Sequence, residues 1–485
     1  MAINYIDNNY TISYYKSITG SYSVANRTII PGEVTTTNFS SSFIVTGSND
    51  NISSFSYSTF ISGSKAVFGA PGASGNSGKV YIFNKISDSW ILETSISGAN
   101  QPDSAGTYFG GYQDASVTYL QQGNPLWLRG NRILVGAPRE ETDKLNNPSH
   151  YKGAVYLFTS GAEGYSRSRI FHEAVTGSNR ATGFGQSVLL GDDFFAVSAP
   201  NEYSTPGASS GPKTGVVFIY GYDYSSGNNY RQILTSSTNG VQFGQGLAFD
   251  ETNRLLMMHN LSGVHRVDVY NSSSADGWKL KQSISGNDSF SSSDFGFAVD
   301  ACEDYLIVGA RHDQPGGDSL RGSAFIYYYD GSSYSINHVI SGSSAGELFG
   351  RTVSISKSGS VIYAAIGSQE DNGSGEDGAL SIYKSSSSGW EFQTKLTSSS
   401  DDNSGLDDDY AISCKIHGSN LAVGSFGEET YGRGYIYQAS SSAAPDTTLT
   451  KHTKPIFRFS SRGAFNIRSQ SSSSSYTTFI GNQKS

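Results

Sequence analysis

The chain has 485 residues, with 56 Gly, 84 Ser and 57 Tyr or Phe against 12 Pro, 3 Met and 15% charged residues. A composition this rich in turn formers and aromatics, and this poor in strong helix formers, excludes a helical bundle or coiled coil. A hydrophobic content of 36% with 13% aromatic residues also excludes general disorder. The net charge of −9 is unevenly spread. Residues 441–485 carry six Lys or Arg against one acid, a net of +5, and the other 440 residues carry 27 basic against 41 acidic, a net of −14. A body that acidic repels nucleic acid and anionic lipid, so neither is expected as a partner. Cys302 and Cys414 provide no disulfide framework and no CxxC for zinc. The opening MAINYIDNNYTISYYK lacks the basic start and apolar core of a signal peptide. No run of about 18 apolar residues exists, so no membrane insertion is expected.

In chain order, residues 1–37 carry no repeat and read as an extended arm or edge strands. From there the chain is periodic. An apolar strand ending in a small-residue turn recurs as KAVFGAP (65–71), RILVGAP (132–138), FFAVSAP (194–200), YLIVGAR (305–311), YAAIGSQ (363–369) and NLAVGSF (420–426). A degenerate copy, RLLMMHN (254–260), fills the gap, and the turns then align at 69, 136, 198, 258, 309, 367 and 424. After each turn and a polar loop comes a run such as GKVYIF (78–83), GAVYLF (153–158) or GRGYIY (432–437). Ahead of each turn stands YFGGY (108–112), GFGQSV (183–188), QFGQGL (242–247), DFGFAV (294–299), LFGRTV (348–353) or DDYAIS (408–413), matched in the first unit by SFSYSTF (54–60). A fourth run, of the type WILETSISG, ends each unit. Four short β-type runs separated by Gly, Ser, Asn and Asp fit a propeller blade.

Seven turns but six complete outer strands leave one strand missing. NFSSSFIVTGSND (38–50) resembles the fourth run and precedes the first unit. The expected fold is therefore all-β: a seven-bladed propeller over residues 38–440, with 38–48 supplying the outer strand of the seventh blade. Residues 441–485 read as a basic, Ser-rich β extension. PIFRFSS (455–461) and GAFNIRS (463–469) suggest strands, and Arg458, Arg462 and Arg468 are candidate anchoring contacts.

FG at 109–110, 184–185, 243–244, 295–296 and 349–350, with GAP at 69–71 and 136–138, resembles the FG-GAP repeat family of integrin α-chain propellers and many bacterial and phage proteins. The resemblance covers roughly 400 residues. That family often carries a DxDxDG calcium loop between the first two strands of a blade. Here those connections, such as GDDFF (191–195) and DETNRL (250–255), lack alternating acids, so no metal or cofactor is carried over. Asp192, Asp193, Asp250 and Glu251 read as turn residues.

No HExxH or Walker pattern occurs, the Gly-rich strings read as β-turns, and no catalytic residue is assigned. His259 and His265 flank a loop in the divergent fourth unit and read as a polar turn. Acids cluster in the loops after the GAP turn, which an in-phase ring brings to one face. In the resembling integrin propellers these connections contribute to the partner-binding face. The candidate contacts are Arg139, Glu141, Tyr151, Glu202, Tyr203, Arg311, His312, Asp313, Glu370, Asp371, Glu428 and Tyr431. QQGNPLWLRGN (121–131) reads as an insertion on the opposite face, with Trp127 either an exposed anchor or a buried indole.

The resemblance and the composition together suggest a non-enzymatic structural or attachment protein of a tailed-phage virion, made in the host cytoplasm. Its extensions would join other virion proteins in a multi-copy assembly, and its propeller would meet host glycan or outer-membrane protein. The competing readings are a lyase or glycosidase using acids on the post-GAP face, and a cellular adhesin.

Overall fold

In the computed structural model, the residues described are 2–6, 9–18, 21–29, 39–46, 54–87, 89–98, 108–111, 123–140, 153–162, 164–172, 182–203, 214–222, 230–236, 242–260, 265–273, 277–286, 293–369, 378–387, 389–398, 409–428, 431–439 and 456–457. Those from 39 to 457 form the seven sheets of a seven-bladed β-propeller, with almost no helix. Blade 1 holds Ser58–Ser62, Lys65–Ala70, Lys79–Ile86 and Ser89–Ser97. Blade 2 holds Leu126–Arg129, Arg132–Ala137, Ala154–Gly161 and Gly164–His172. Blade 3 holds Val188–Leu190, Phe194–Ala199, Val216–Gly221 and Gln232–Thr235. Blade 4 holds Leu247–Asp250, Leu255–Asn260, Arg266–Ser273 and Gly277–Ser285. Blade 5 holds Val299–Cys302, Tyr305–Ala310, Ser323–Tyr329 and Tyr334–Ser341. Blade 6 holds Thr352–Ser358, Val361–Ser368, Ala379–Ser386 and Gly389–Thr397.

Blade 7 takes Tyr410–His417, Asn420–Ser425 and Arg433–Ala439 from the end of the repeat and its fourth strand, Phe39–Thr46, from the beginning. The register runs from Arg433 opposite Thr46 to Ala439 opposite Phe39. Ile44 is buried in the blade 7 core beside Tyr435 and Tyr437. Ile456–Phe457 adds outside this strand, parallel to it, opposite Ile44 and Val45. Ala2–Ile6, Asn9–Ile18 and Ser21–Ile29 form a separate three-stranded antiparallel sheet where an extended arm or edge strands were expected. The strand pair expected around Arg462 lies outside the described residues.

The second strand of each blade is buried almost end to end, because neighbouring blades pack on both of its faces. The third and fourth strands pair with a bulge at equivalent places in six blades, for example between Ile82 and Phe83 and between Ile326 and Tyr327. The extra residue increases twist at the rim.

The FG segments form tight turns that lead into the innermost strand, where the sequence suggested strands. The Phe lies edge-on to aromatic residues of its own blade's third strand, as Phe109 does on Tyr156 and Phe295 on Phe325. The Gly takes a positive φ and donates its N–H to a carbonyl at the end of its own blade's second strand. The acceptors are Gly136 for Gly110, Ser198 for Gly185, His259 for Gly244, Gly309 for Gly296 and Gly367 for Gly350, at 2.8–3.0 Å. This pattern corrects the phase of unit four: His259, not Met258, is the counterpart of Gly136. The single-residue slip arose because the copy retains no Gly to align on.

The segment around Trp127 is a second correction, and of the two readings of its side chain the buried indole holds. Trp127 belongs to the inner strand of blade 2, is 8% exposed, and packs on Phe60 with ring centroids 4.8 Å apart. The supposed insertion is the first strand of that blade. Nearby, around the axis, Lys415 of blade 7 reaches Asp300 of blade 5 at 2.6 and 2.7 Å and lies over the Phe60 and Trp127 rings. Asp300 also accepts bonds from Ser354 Oγ and the Ile355 N–H of blade 6, so this carboxylate ties three blades together.

Candidate binding face

The loops after the second strands emerge together, because every blade has the same strand order. Each begins at the GAP position, and in six of the seven blades it returns through a Gly with positive φ at the head of the third strand, blade 4 having His265 there. Among the described residues, a backbone bond closes five of these loops at the base. The N–H groups of Gly78, Gly153, Gly215, Gly322 and Gly432 donate to the carbonyls of Ala73, Glu140, Glu202, Asp313 and Glu428, respectively, at 2.9–3.1 Å. The acceptor always stands four residues after the GAP position, and in four of the five loops it is an acid.

Those acids point into their own blades. Glu428 is fully buried and accepts bonds from Arg433 Nη1 at 2.6 Å and from the Tyr435 hydroxyl. Glu202 is 1% exposed and accepts the Tyr203 N–H at 2.8 Å. Asp313 accepts the Gln314 N–H at 3.0 Å. Glu140 accepts the Tyr156 hydroxyl, and burial pushes its carboxyl pKa up against that bond and the nearby Arg167. Glu140 escaped the sequence reading, which chose Glu141. The usable signal was the fixed offset of four from the GAP glycine.

Glu202, Asp313 and Glu428 are therefore corrected from surface contacts to internal latches, and Tyr203 is also buried. Arg311 is largely enclosed as well. Its guanidinium lies 4.0 Å over Phe297 and its Nε donates to Asp294 at 2.9 Å. His312 pairs with the same carboxylate at 3.0 Å but remains part-exposed. Burial opposes ionisation of Asp294, yet His312 and Arg311 hold its carboxyl well below the usual carboxylate range. Arg139 is half-buried over the Tyr108 ring, and Tyr431 is exposed. Glu141, Tyr151, Glu370 and Asp371 lie outside the described residues, as do Arg458, Arg462 and Arg468.

Among the described residues, the accessible part of the face includes Arg139, His312 and Tyr431, joined by Leu320 and Arg321 of the blade 5 loop. Leu320 is 39% exposed, and Arg321 pairs with Asp318 at 2.5 Å. No periodicity marks these two in the sequence, because they belong to one loop. A rim that mixes Arg139, the Arg321–Asp318 pair, His312, Leu320 and Tyr431 is suited to many weak polar and stacking contacts.

Asp192 and Asp193 sit in turns and pair with Arg129 and Arg254, and Asp250 accepts the Thr252 and Asn253 N–H groups of its own turn. Among the described residues no group of three or more His, Cys, Asp or Glu could hold a metal ion. Burial raises the Cys302 and Cys414 thiols to about 11 and about 12, respectively. Also among the described residues, no helix is long and apolar enough to cross a membrane.

Comparison with curated proteins found no match. The FG-GAP repeat family model matches residues 278–327, from the outer strand of blade 4 into the third strand of blade 5. That span contains Phe295, Gly296 and Gly309, three residues at the FG and GAP positions. Together, the repeat match and the seven-bladed ring support an FG-GAP β-propeller.

Proposed function

We propose that this chain is a non-enzymatic structural and attachment protein: a tail, fibre or surface component of a tailed-phage virion. It is made in the host cytoplasm, presents the post-GAP face to a host glycan or protein, and is held among other virion proteins by its terminal extensions. The observation that supports this reading best is the position of the two extensions. Residues 2–29 precede the closing strand of blade 7, and Ile456–Phe457 lies on that strand's outer side. Both are joined to the closing strand, one through the chain and the other by pairing, while the post-GAP loops occupy a face of the disc. A module tethered at one edge binds by copy number, so weak contacts suffice.

Mass spectrometry of purified particles tests this reading, comparing the full chain with a deletion of residues 441–485. The full chain should co-purify, and the deleted chain should fold yet be absent from particles. Absence of the full chain from any particle, or turnover of a host polysaccharide by the purified protein, would count against the proposal.

A further inference from the structure

The outer strands of the blades differ in how they guard their free edge. Blade 1 carries Glu93 there, blade 2 Arg167 and Arg169, blade 4 Lys279 and Lys281, and blade 6 Glu391 and Lys395. Blade 3 ends in a strand of only four residues, and the blade 5 edge carries Tyr334 and His338. Charge and shortness are the usual devices that keep a sheet edge from pairing with another chain. The closing strand Phe39–Thr46, FSSSFIVT, has eight residues and no titratable group. It is also the one described blade edge that carries a fifth strand, Ile456–Phe457.

Three features indicate where that fifth strand comes from when copies meet. Among the described residues the pairing covers only Ile44 and Val45 of the eight-residue closing strand. The connection from Ala439 to Ile456 contains 16 residues. Within one copy it must cross about 20 Å, namely five residues along the strand and two strand spacings, whereas 16 extended residues reach about 50 Å. Finally, the segment from 441 onward carries a net +5 and the rest of the chain a net −14, so the tail of one copy is drawn to the body of another.

We propose that the outer edge of blade 7 is a strand acceptor for a second copy of this chain. The strand at Ile456–Phe457 of one copy adds to Phe39–Thr46 of the next, by exchange of the pairing seen here within one copy. Each copy gives one strand and receives one, which is a head-to-tail contact that generates rings or filaments. The inference rests on the multi-copy reading above and supplies its contact.

Complementation between two full-length variants tests it. Ile456→Pro with Phe457→Pro removes the donor strand, and Val45→Lys places a charge on the acceptor edge. Ser40→Lys is the substitute if Val45→Lys lowers the melting temperature. The measurement is mass by sedimentation across concentration. The wild-type chain should self-associate, each variant alone should be a monomer, and an equal mixture should form one-to-one pairs. A wild-type monomer at every concentration, or a mixture without pairs, overturns the proposal. Association is read on purified protein, so this outcome is independent of whether the chain is found in particles.

Discussion

The carbonyl oxygen of Gly110 stands 2.1 Å from where a Cβ on Gly69 would lie. The FG turn of blade 2 is thus seated on the GAP turn of blade 1 with no room for a methyl group. The same fit recurs between Gly185 and Gly136 and between Gly350 and Gly309, and Ser56 on Gly424 completes the circle. Gly69→Ala and Gly136→Ala should each destabilise the ring by about 3 kcal/mol, because the obstacle is backbone. Gly161→Ala, whose nearest neighbour would lie 4.0 Å away, should change stability by less than about 1 kcal/mol. Denaturant unfolding of the three variants checks this.

The buried acids give a second expectation. Glu428→Ala leaves Arg433 buried without the carboxylate it meets at 2.6 Å. Loss of one partner of such a pair should cost about 3–5 kcal/mol. Glu428→Gln, which keeps an acceptor, should cost less. A surface contact would show the reverse pattern, with binding lost and melting temperature unchanged.

His259 should make the fold acid-sensitive. Its ring is fully buried where other blades place Gly or Ser, and burial pushes its pKa down to about 3, with His265 and Arg311 acting in the same direction and Asp294 against them. A histidine held neutral contributes full stability above its ordinary pKa of 6.5 and loses it as pH falls toward the folded value. Between pH 7 and pH 5 the loss should be about 2 kcal/mol. Asp294, held below its ordinary range, adds a further loss only below about pH 4. Glu140 and Asp250, pushed up by burial, act with the opposite sign. His259→Ser, which copies Ser198, isolates the histidine: its stability should vary less between pH 7 and pH 5. Equal slopes in the two proteins would refute the assignment.

On the candidate face, Arg139→Ala, Leu320→Ala and Tyr431→Ala should weaken cell-surface adhesion in combination by at least about tenfold while changing unfolding free energy by about 1 kcal/mol or less. Adhesion of the triple variant to host cells, beside its melting curve, checks this.

Much of this architecture was legible in the sequence, because a propeller repeats its core pattern once per blade. The strand from Lys65 to Ala70 and its copies announce themselves by continuous apolar runs, and the unmatched run at 38–50 reveals the closing strand by subtraction. Features that depend on partners distant in sequence were harder to read. Trp127 looks like a loop residue until Phe60 of the neighbouring blade covers it. The acids after the GAP turn look like a solvated rim, since nothing local says that Arg433 and Tyr435 turn toward Glu428. His259 disguised its phase because Gly was the alignment mark and it replaces Gly. Leu320 and Arg321 had no repeat to point at them.

The central claim is that an early strand closes the ring onto the last blade. Native-state hydrogen exchange on the intact chain measures this directly, by following the amides of Phe39–Thr46 that face Arg433–Ala439. The account predicts that they exchange together with those of Arg433–Ala439, at the rate set by unfolding of the whole propeller. Exchange of 39–46 within seconds, as in a free peptide, while 433–439 stays protected, would contradict it.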